Sequence, residues 1–206
     1  MANDPFKELK EAPYDLFIAP KPYSFDLNAD MIKLIREEFG AEGIASKFAD
    51  AVKGKAPGEA ERIGKEIFED YGEKWMKRTI QLGEEYPDRT IEVVKETVDR
   101  NGHQFLFFPY VPQRLIETAY LSTQQFLKMP ITLNNAYELA YRLPQCQLFN
   151  TIKEKCGDKI ANLMTCQNAC LKALETLRKD LELSVVITMV ASTAKDGYCE
   201  FSLRKL

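Results

Sequence analysis

Apolar positions along the chain recur mostly at helical spacing. Met31, Leu34, Ile35 and Phe39 share one face of a segment that opens at Asn28, a favourable N-cap, and stops at Gly40. Ile44, Phe48 and Val52 repeat the pattern between Glu42 and Lys53, with Gly54 as the stop. The longest periodic run starts at Pro57, a favoured first-turn residue, and carries Ala60, Ile63, Ile67, Tyr71 and Trp75 up to a stop at Pro87. Gly64 and Gly72 fall inside it. Each costs about 1 kcal/mol relative to alanine in a helix interior, which close approach of another backbone would offset. A short helix with Ile91, Val94 and Val98 follows, then a helix over 114–128 that ends before Pro130. Two more are predicted over 146–155 and 158–179, the second with Ile160, Leu163, Gln167, Cys170, Leu174 and Leu177 on one side.

Strand patterns are fewer. Phe105-Leu106-Phe107-Phe108 is too short an apolar run for a helix and predicts a strand over 104–110. Residues 136–143 fit both periods, but Tyr137, Tyr141 and the Pro144 stop favour a strand. Leu181 to Ala191 alternates with both faces largely apolar, which predicts a strand covered on both sides. Asp196-Gly197 is a hairpin-turn signal, and Tyr198–Leu206 is the returning strand with Cys199, Phe201 and Leu203 on one face. Residues 1–27 interleave Pro5, Pro13, Pro20 and Pro22 with aromatic residues, which predicts an extended arm across the domain or a partner subunit. No repeat or low-complexity linker interrupts the rest. The expectation is an arm over 1–27 and one α+β domain over 28–206, its helices packed on an antiparallel sheet with a C-terminal β-hairpin.

Composition narrows the function classes. The chain has 206 residues, 45% hydrophobic and 29% charged, so a sizeable core needs no metal or disulfide to form. Net charge is −3 and basic residues are scattered among acids, without the basic face of a nucleic-acid binder. The start Met1-Ala2-Asn3-Asp4-Pro5 has no cationic leader, and no apolar run approaches the ~20 residues of a membrane span. Neither nucleic acid nor membrane is an expected partner, and the cytoplasm is the expected compartment. The five cysteines, an odd number, are expected to be free thiols or ligands there.

Cysteine carries the candidate chemistry. Cys146 follows Leu143-Pro144-Gln145 at a strand-to-helix junction, where backbone N–H groups can depress a thiol pKa and serve an oxyanion. It reads as a nucleophile or as a buried structural thiol. Cys166 and Cys170 stand one helical turn apart and, with Cys146 or Cys199, make zinc possible; as small buried hydrophobes they need no metal. His103 in Asn101-Gly102-His103 is the single histidine available to a Cys–His dyad, or a plain loop residue. Phe105, Phe107, Phe108, Tyr110, Tyr120, Tyr137, Tyr141 and Trp75 form either a core stripe or the wall of a pocket for a planar ligand. Arg114 and Arg142 are candidates to receive a ligand carboxylate.

The segment Gly197-Tyr198-Cys199-Glu200-Phe201 resembles the closing G-x-C-x-F strand of a superfamily of ligand-pocket domains. That superfamily includes 4-vinyl reductase domains, their vesicle-trafficking-complex relatives and the L-2-amino-thiazoline-4-carboxylate hydrolase family. Cys146-Gln147-Leu148-Phe149, Cys170 on a later helix, and Ile67–Trp75 with its Tyr71-Gly72 pair are similar to the hydrolase family's pattern; Gln147 replaces a usual proline and Ala173 a frequent acid. The resemblance implies a 4-vinyl reductase domain-like fold. It also implies hydrolysis of a small cyclic C–N/C–S substrate of the aminothiazoline type. Cys146, or a water activated by a nearby acid–base group, would attack the carbon between nitrogen and sulfur; Cys170, Cys199 and Tyr141 would line the pocket, and Arg142 or Arg114 would hold the substrate carboxylate. The alternative it implies is a non-catalytic domain that binds an aromatic or tetrapyrrole-like ligand or dimerises. A homodimer through the glycine-bearing helix 57–86 suits either.

Overall fold

A computed structural model describes residues 29–85, 110–124 and 129–206. These belong to one of the two compact units into which the chain divides, the unit of residues 27–87 and 106–206. The expected arm over 1–27, the helix around Ile91 to Val98, the aromatic strand over 104–110 and His103 lie outside the described residues.

Three helices lead: α1 (Ala29–Phe39), α2 (Ala41–Val52) and α3 (Pro57–Glu85). Gly40 joins the first two in an extended conformation, and Gly54 turns the chain with φ 73°. The apolar stripe of α3 points inward as its spacing requires, with Ala60, Phe68, Trp75 and Met76 buried. Its outer face carries i,i+4 ion pairs such as Arg62–Glu66 and Lys77–Glu73. Next come α4 (Tyr110–Thr123), β1 (Ile131–Asn134), β2 (Glu138–Leu143), α5 (Gln147–Cys156) and α6 (Asp158–Ala161). The chain ends with α7 (Gln167–Asp180), β3 (Val185–Ala191), α8 (Thr193–Asp196) and β4 (Cys199–Lys205). The protein is α+β.

The two glycines expected to admit another backbone differ in what they meet. At Gly72 an added Cβ would stand 2.1 Å from the Ala169 carbonyl oxygen, so α3 and α7 touch backbone to backbone. At Gly64 it would meet the Thr165 side chain at 2.7 Å and Phe48 at 2.9 Å. This face of α3 is therefore taken up within the chain. Lys172 on α7 reaches Glu73 on α3 at 3.4 Å along the same seam.

The four strands form an antiparallel sheet in the order β1-β2-β4-β3. Register pairs Leu143 with Cys199, Tyr141 with Phe201 and Leu139 with Leu203, and then Leu203 with Ile187 and Phe201 with Met189. Because side chains alternate, these residues share the face turned to the helices. Arg142, Glu200, Ser202, Arg204 and Thr188 take the opposite face.

Several expectations are corrected. The segment Leu181–Ala191 is not covered on both sides: β3 is an edge strand of the four-stranded sheet, with Val186 and Val190 exposed. Its apolar second face reflects β-propensity rather than burial. The β3–β4 connection is not a two-residue turn but the single helical turn α8, closed by Gly197 at φ 80°. The helix expected over 158–179 breaks between α6 and α7, where Met164 takes φ 56°. The helix expected from residue 114 begins at Tyr110. Strand β1 was not expected. It is organised by an Asx turn, with the Asn135 Oδ1 accepting from the N–H groups of Tyr137 (2.8 Å) and Glu138 (2.9 Å).

Candidate functional site

Strand β2 ends at Leu143, and Cys146 then serves as the N-cap of α5, with extended backbone (φ −115°) and its Sγ accepting from the Phe149 N–H at 3.4 Å. The Gln147 N–H is met by the Gln124 Oε1 at 2.8 Å. Two of the donors that a helix start offers to an anion are thus already used by side chains of this protein.

The tight α3–α7 seam sets the opposite wall. Tyr71 and Trp75 of α3, and Cys166 and Cys170 beside and on α7, line one cavity along it. Between these helices, α4 and the inner sheet face, the cavity measures about 20 Å³. Cys146, Cys166, Cys170 and Cys199 all line it, with Met164 adding a fifth sulfur. Tyr71, Trp75, Tyr120 and Phe201 supply aromatic walls. Among the described residues no charged side chain takes part.

These rings belong to a longer ladder. Phe39 packs edge-on to Tyr71 at 5.7 Å between centroids, Tyr71 meets Trp75 at 5.9 Å, and Trp75 meets Tyr120 edge-on at 5.1 Å. Tyr120 then meets Tyr141 at 5.6 Å, and Tyr141 stacks on Phe201 at 5.6 Å. Contacts of this kind fix ring orientation and add about 0.5–1.5 kcal/mol each beyond area burial.

Electrostatics corrects the expectation of a depressed thiol. Burial is the largest influence on every cysteine lining the cavity, and it penalises the thiolate. It pushes the Cys146 thiol up to about 12, and the proximity of Cys199 adds to the shift; the backbone N–H groups of Phe149 and Leu148 oppose it and lose. Cys166 and Cys170 are pushed up for the same reason, each reinforced by neighbouring thiols. Cys199 is raised by burial, less the relief from Thr193, whose Oγ1 lies 3.1 Å from its Sγ. At neutral pH these are uncharged thiols.

The sequence-based site residues therefore divide. Cys146, Cys170 and Cys199 come together around one cavity. Tyr141 stands directly behind it, fully buried, its hydroxyl 3.4 Å from that of Tyr120. Arg142 does not reach the cavity. It sits on the outer sheet face, paired with Glu200 (Nη2–Oε2 2.7 Å) and stacked 4.0 Å over the Tyr198 ring. The physical reason is strand alternation, since the neighbours of inward-facing Tyr141 and Leu143 must face outward. Arg114 lies on α4 with Glu117 at 3.5 Å and is also absent from the cavity wall. Of the aromatic set, Trp75 and Tyr120 line the cavity, Tyr137 is exposed, Tyr110 opens α4, and Phe105, Phe107 and Phe108 lie outside the described residues.

The zinc set also fails to assemble. Among the described residues no group of three or more His, Cys, Asp or Glu side chains is gathered closely enough to hold a metal ion. All five cysteines are free. Sequence reasoning missed Gln124, Met164 and Gln167 as cavity residues. Gln124 caps a helix 23 residues away, and no local pattern marks such a partner.

Comparison of the chain with protein-family models, curated proteins and solved structures finds no match to any of them. Among the described residues no helix is long and apolar enough to cross a membrane.

Proposed function

We propose that this protein is a non-catalytic binding domain that takes a small, uncharged ligand of aromatic character into the cavity between α3, α4, α7 and the sheet. The supporting observation is the wall itself: aromatic rings and four neutral thiols, with no charged side chain among the described residues. Such a lining favours apolar and soft groups and discriminates against a carboxylate, whose desolvation it cannot offset. The resemblance of residues 196–204 to the superfamily that includes 4-vinyl reductase domains supports the same reading, as do the departures from the hydrolase family's pattern at Gln147 and Ala173. Any aromatic ligand, and a tetrapyrrole most of all, would require the walls of the cavity to part, because the closed cavity is about the size of one water molecule. Trp75, the single tryptophan of the chain, stands in the cavity wall and reports occupancy directly. Titration with a panel of neutral aromatic compounds is expected to change its fluorescence saturably and to raise the melting temperature. A panel that does neither removes the proposal.

A second reading is hydrolysis of a 2-aminothiazoline-carboxylate type substrate with Cys146 as nucleophile. In its favour, Cys146, Cys170 and Cys199, the three cysteines that this reading requires, line one cavity. Against it stand the raised thiol and the outward Arg142. Turnover of L-2-amino-thiazoline-4-carboxylate that disappears in Cys146→Ala would reinstate it. The proposal places the protein in the cytoplasm, which its free thiols support. It extends to a homodimer on a surface other than the glycine face of α3, tested by sedimentation.

A further inference from the structure

We infer that β3 is the edge on which a second copy of this chain docks: two β3 strands pair antiparallel about a two-fold axis at Thr188 and join two four-stranded sheets into one continuous sheet. The inference rests on the homodimer proposed above and gives it a surface and a register.

The two edges of the sheet differ. β1 is four residues long, follows Pro130 and has an irregular register between Ile131 and Leu133, features that blunt an edge. β3 is seven residues long and reads Val185-Val186-Ile187-Thr188-Met189-Val190-Ala191, without a charge or a proline. Its irregularity lies at one end, between Met189 and Ala191. The groups that β3 leaves open follow from its pairing. The Lys205 N–H donates to the Tyr137 carbonyl at 2.8 Å, toward β2, and the Leu206 N–H donates to the Ser184 carbonyl at 3.1 Å, on the β3 side. Successive residues of a strand alternate in the direction of their backbone groups. Ser184, Val186 and Thr188 therefore pair with β4, while Val185, Ile187 and Met189 turn their N–H and C=O groups outward. The Val185 N–H is met by the Leu183 carbonyl at 3.1 Å. Among the described residues no strand or loop meets the outward groups of Ile187 and Met189.

These open groups are complementary to themselves. With Thr188 opposite the partner's Thr188, Ile187 stands opposite the partner's Met189, and every outward N–H and C=O of the two residues finds its match across the axis. On the outer face Val186, 40% exposed, then stands opposite the partner's Val190, 56% exposed, so each copy covers apolar surface that the other leaves open. The occupant is a second copy because an uncharged strand sets no like charges opposite each other when it pairs with itself, and offers a charged partner nothing. The two-fold axis uses up both β3 edges and leaves the blunted β1 edges outside, so assembly stops at the dimer. An edge about 24 Å long buries less than the roughly 1,200 Å² of a stable interface. The dimer is therefore weak and depends on concentration.

Sedimentation of the full chain from micromolar to millimolar concentration is expected to show monomer passing to dimer. Thr188→Lys and Thr188→Glu each set like charges face to face on the axis, at an exposed position. Each is expected to weaken the dimer about 5- to 10-fold, with the melting temperature of the dilute protein close to the parent's. An equimolar mixture of the two variants is expected to recover the dimer, since opposite charges then meet. In the parent protein, amide hydrogen exchange at Ile187 and Met189 is expected to slow as concentration rises. A parent protein that stays monomeric overturns the inference and the homodimer together, and leaves ligand binding to the Trp75 fluorescence titration. A dimer that both substitutions leave unchanged, or in which the Ile187 and Met189 amides exchange as fast as in the monomer, overturns the β3 edge and leaves the homodimer on another surface.

Discussion

Replacing Gly72 with alanine tests whether the site is held together by the α3–α7 seam. In an ordinary exposed helix this change stabilises by about 1 kcal/mol, because glycine is the poorer helix former. Here the new methyl would stand 2.1 Å from the Ala169 carbonyl oxygen, 2.8 Å from its carbon and 2.9 Å from its Cα. Ordinary contact begins near 3.4 Å, so α7 must withdraw by 3.4 − 2.1, or about 1.3 Å, and no flexible side chain is available to yield instead. A radial gap of about 0.5–1 Å already forfeits a quarter to a half of a contact's dispersion energy, and overpacking typically costs about 1–3 kcal/mol, occasionally more. The strain here is backbone against backbone, at the upper end of that range or beyond it. After the propensity gain, the net expectation is a loss of about 2–3 kcal/mol. That corresponds to a melting temperature lower by about 4–12 °C for a chain of this size.

The matched control is Gly43→Ala in α2, where an added Cβ meets nothing within 4 Å. It is expected to stabilise by about 0.5–1 kcal/mol. Thermal and urea unfolding of both variants beside the parent protein gives two shifts of opposite sign. A Gly72→Ala protein at least as stable as the parent would refute the close seam between α3 and α7.

The remaining predictions concern the thiols and the outer sheet face. A disulfide reagent at mild pH is expected to label Cys156 first, since it is half-buried at the end of α5, and to reach Cys146, Cys166 and Cys199 only on unfolding; mass spectrometry of the labelled peptides decides it. Cys146 has its folded pKa raised to about 12, against an ordinary thiol value of about 8.5. Its contribution to stability is therefore complete below about pH 8.5 and is lost as pH rises toward 12, at about 1.4 kcal/mol per unit, because the unfolded thiol then binds fewer protons. Urea unfolding from neutral to alkaline pH should decline over that interval and decline less in Cys146→Ala; equal slopes would refute the assignment. Arg142→Ala removes a part-exposed ion pair with Glu200 and is expected to cost less than about 1 kcal/mol while leaving binding at the Trp75 cavity unchanged. A loss of binding would return Arg142 to the site.

Much of the helical half of this protein is legible in its residues. The stripes of α1, α2 and α3, the stops at Gly40 and Gly54, and the Pro57 start are local properties, set by the 3.6-residue period and by the limits on glycine and proline. The C-terminal hairpin is equally local in its pairing of an alternating run with Tyr198–Leu206. Its turn is not, because Ser192 to Gly197 are as compatible with a single helical turn as with a tight one. The position of β3 at the sheet edge was hidden for a related reason. Val186 and Val190 suit any strand, and whether a second layer covers them depends on segments far away in sequence.

Within the site, the chain by itself determined which residue types are present: cysteines at a helix start, on a helix and in a strand, and one tryptophan on the long stripe. Tertiary structure decided what they are. Cys146 sits at a helix N-terminus as its neighbours dictate, yet burial by α3, α7 and the sheet outweighs the helix and keeps the thiol protonated. Arg142, adjacent in sequence to an inward tyrosine, faces out because a strand alternates and because β4 offers Glu200 in register opposite it. Gly72 was visible as a helix-interior glycine, but only the fold supplies Ala169 as the reason for it. Periodicity and turn chemistry act over a few residues and can be read along a chain. Desolvation, register and interhelical distance are properties of segments brought together, and no residue carries them alone.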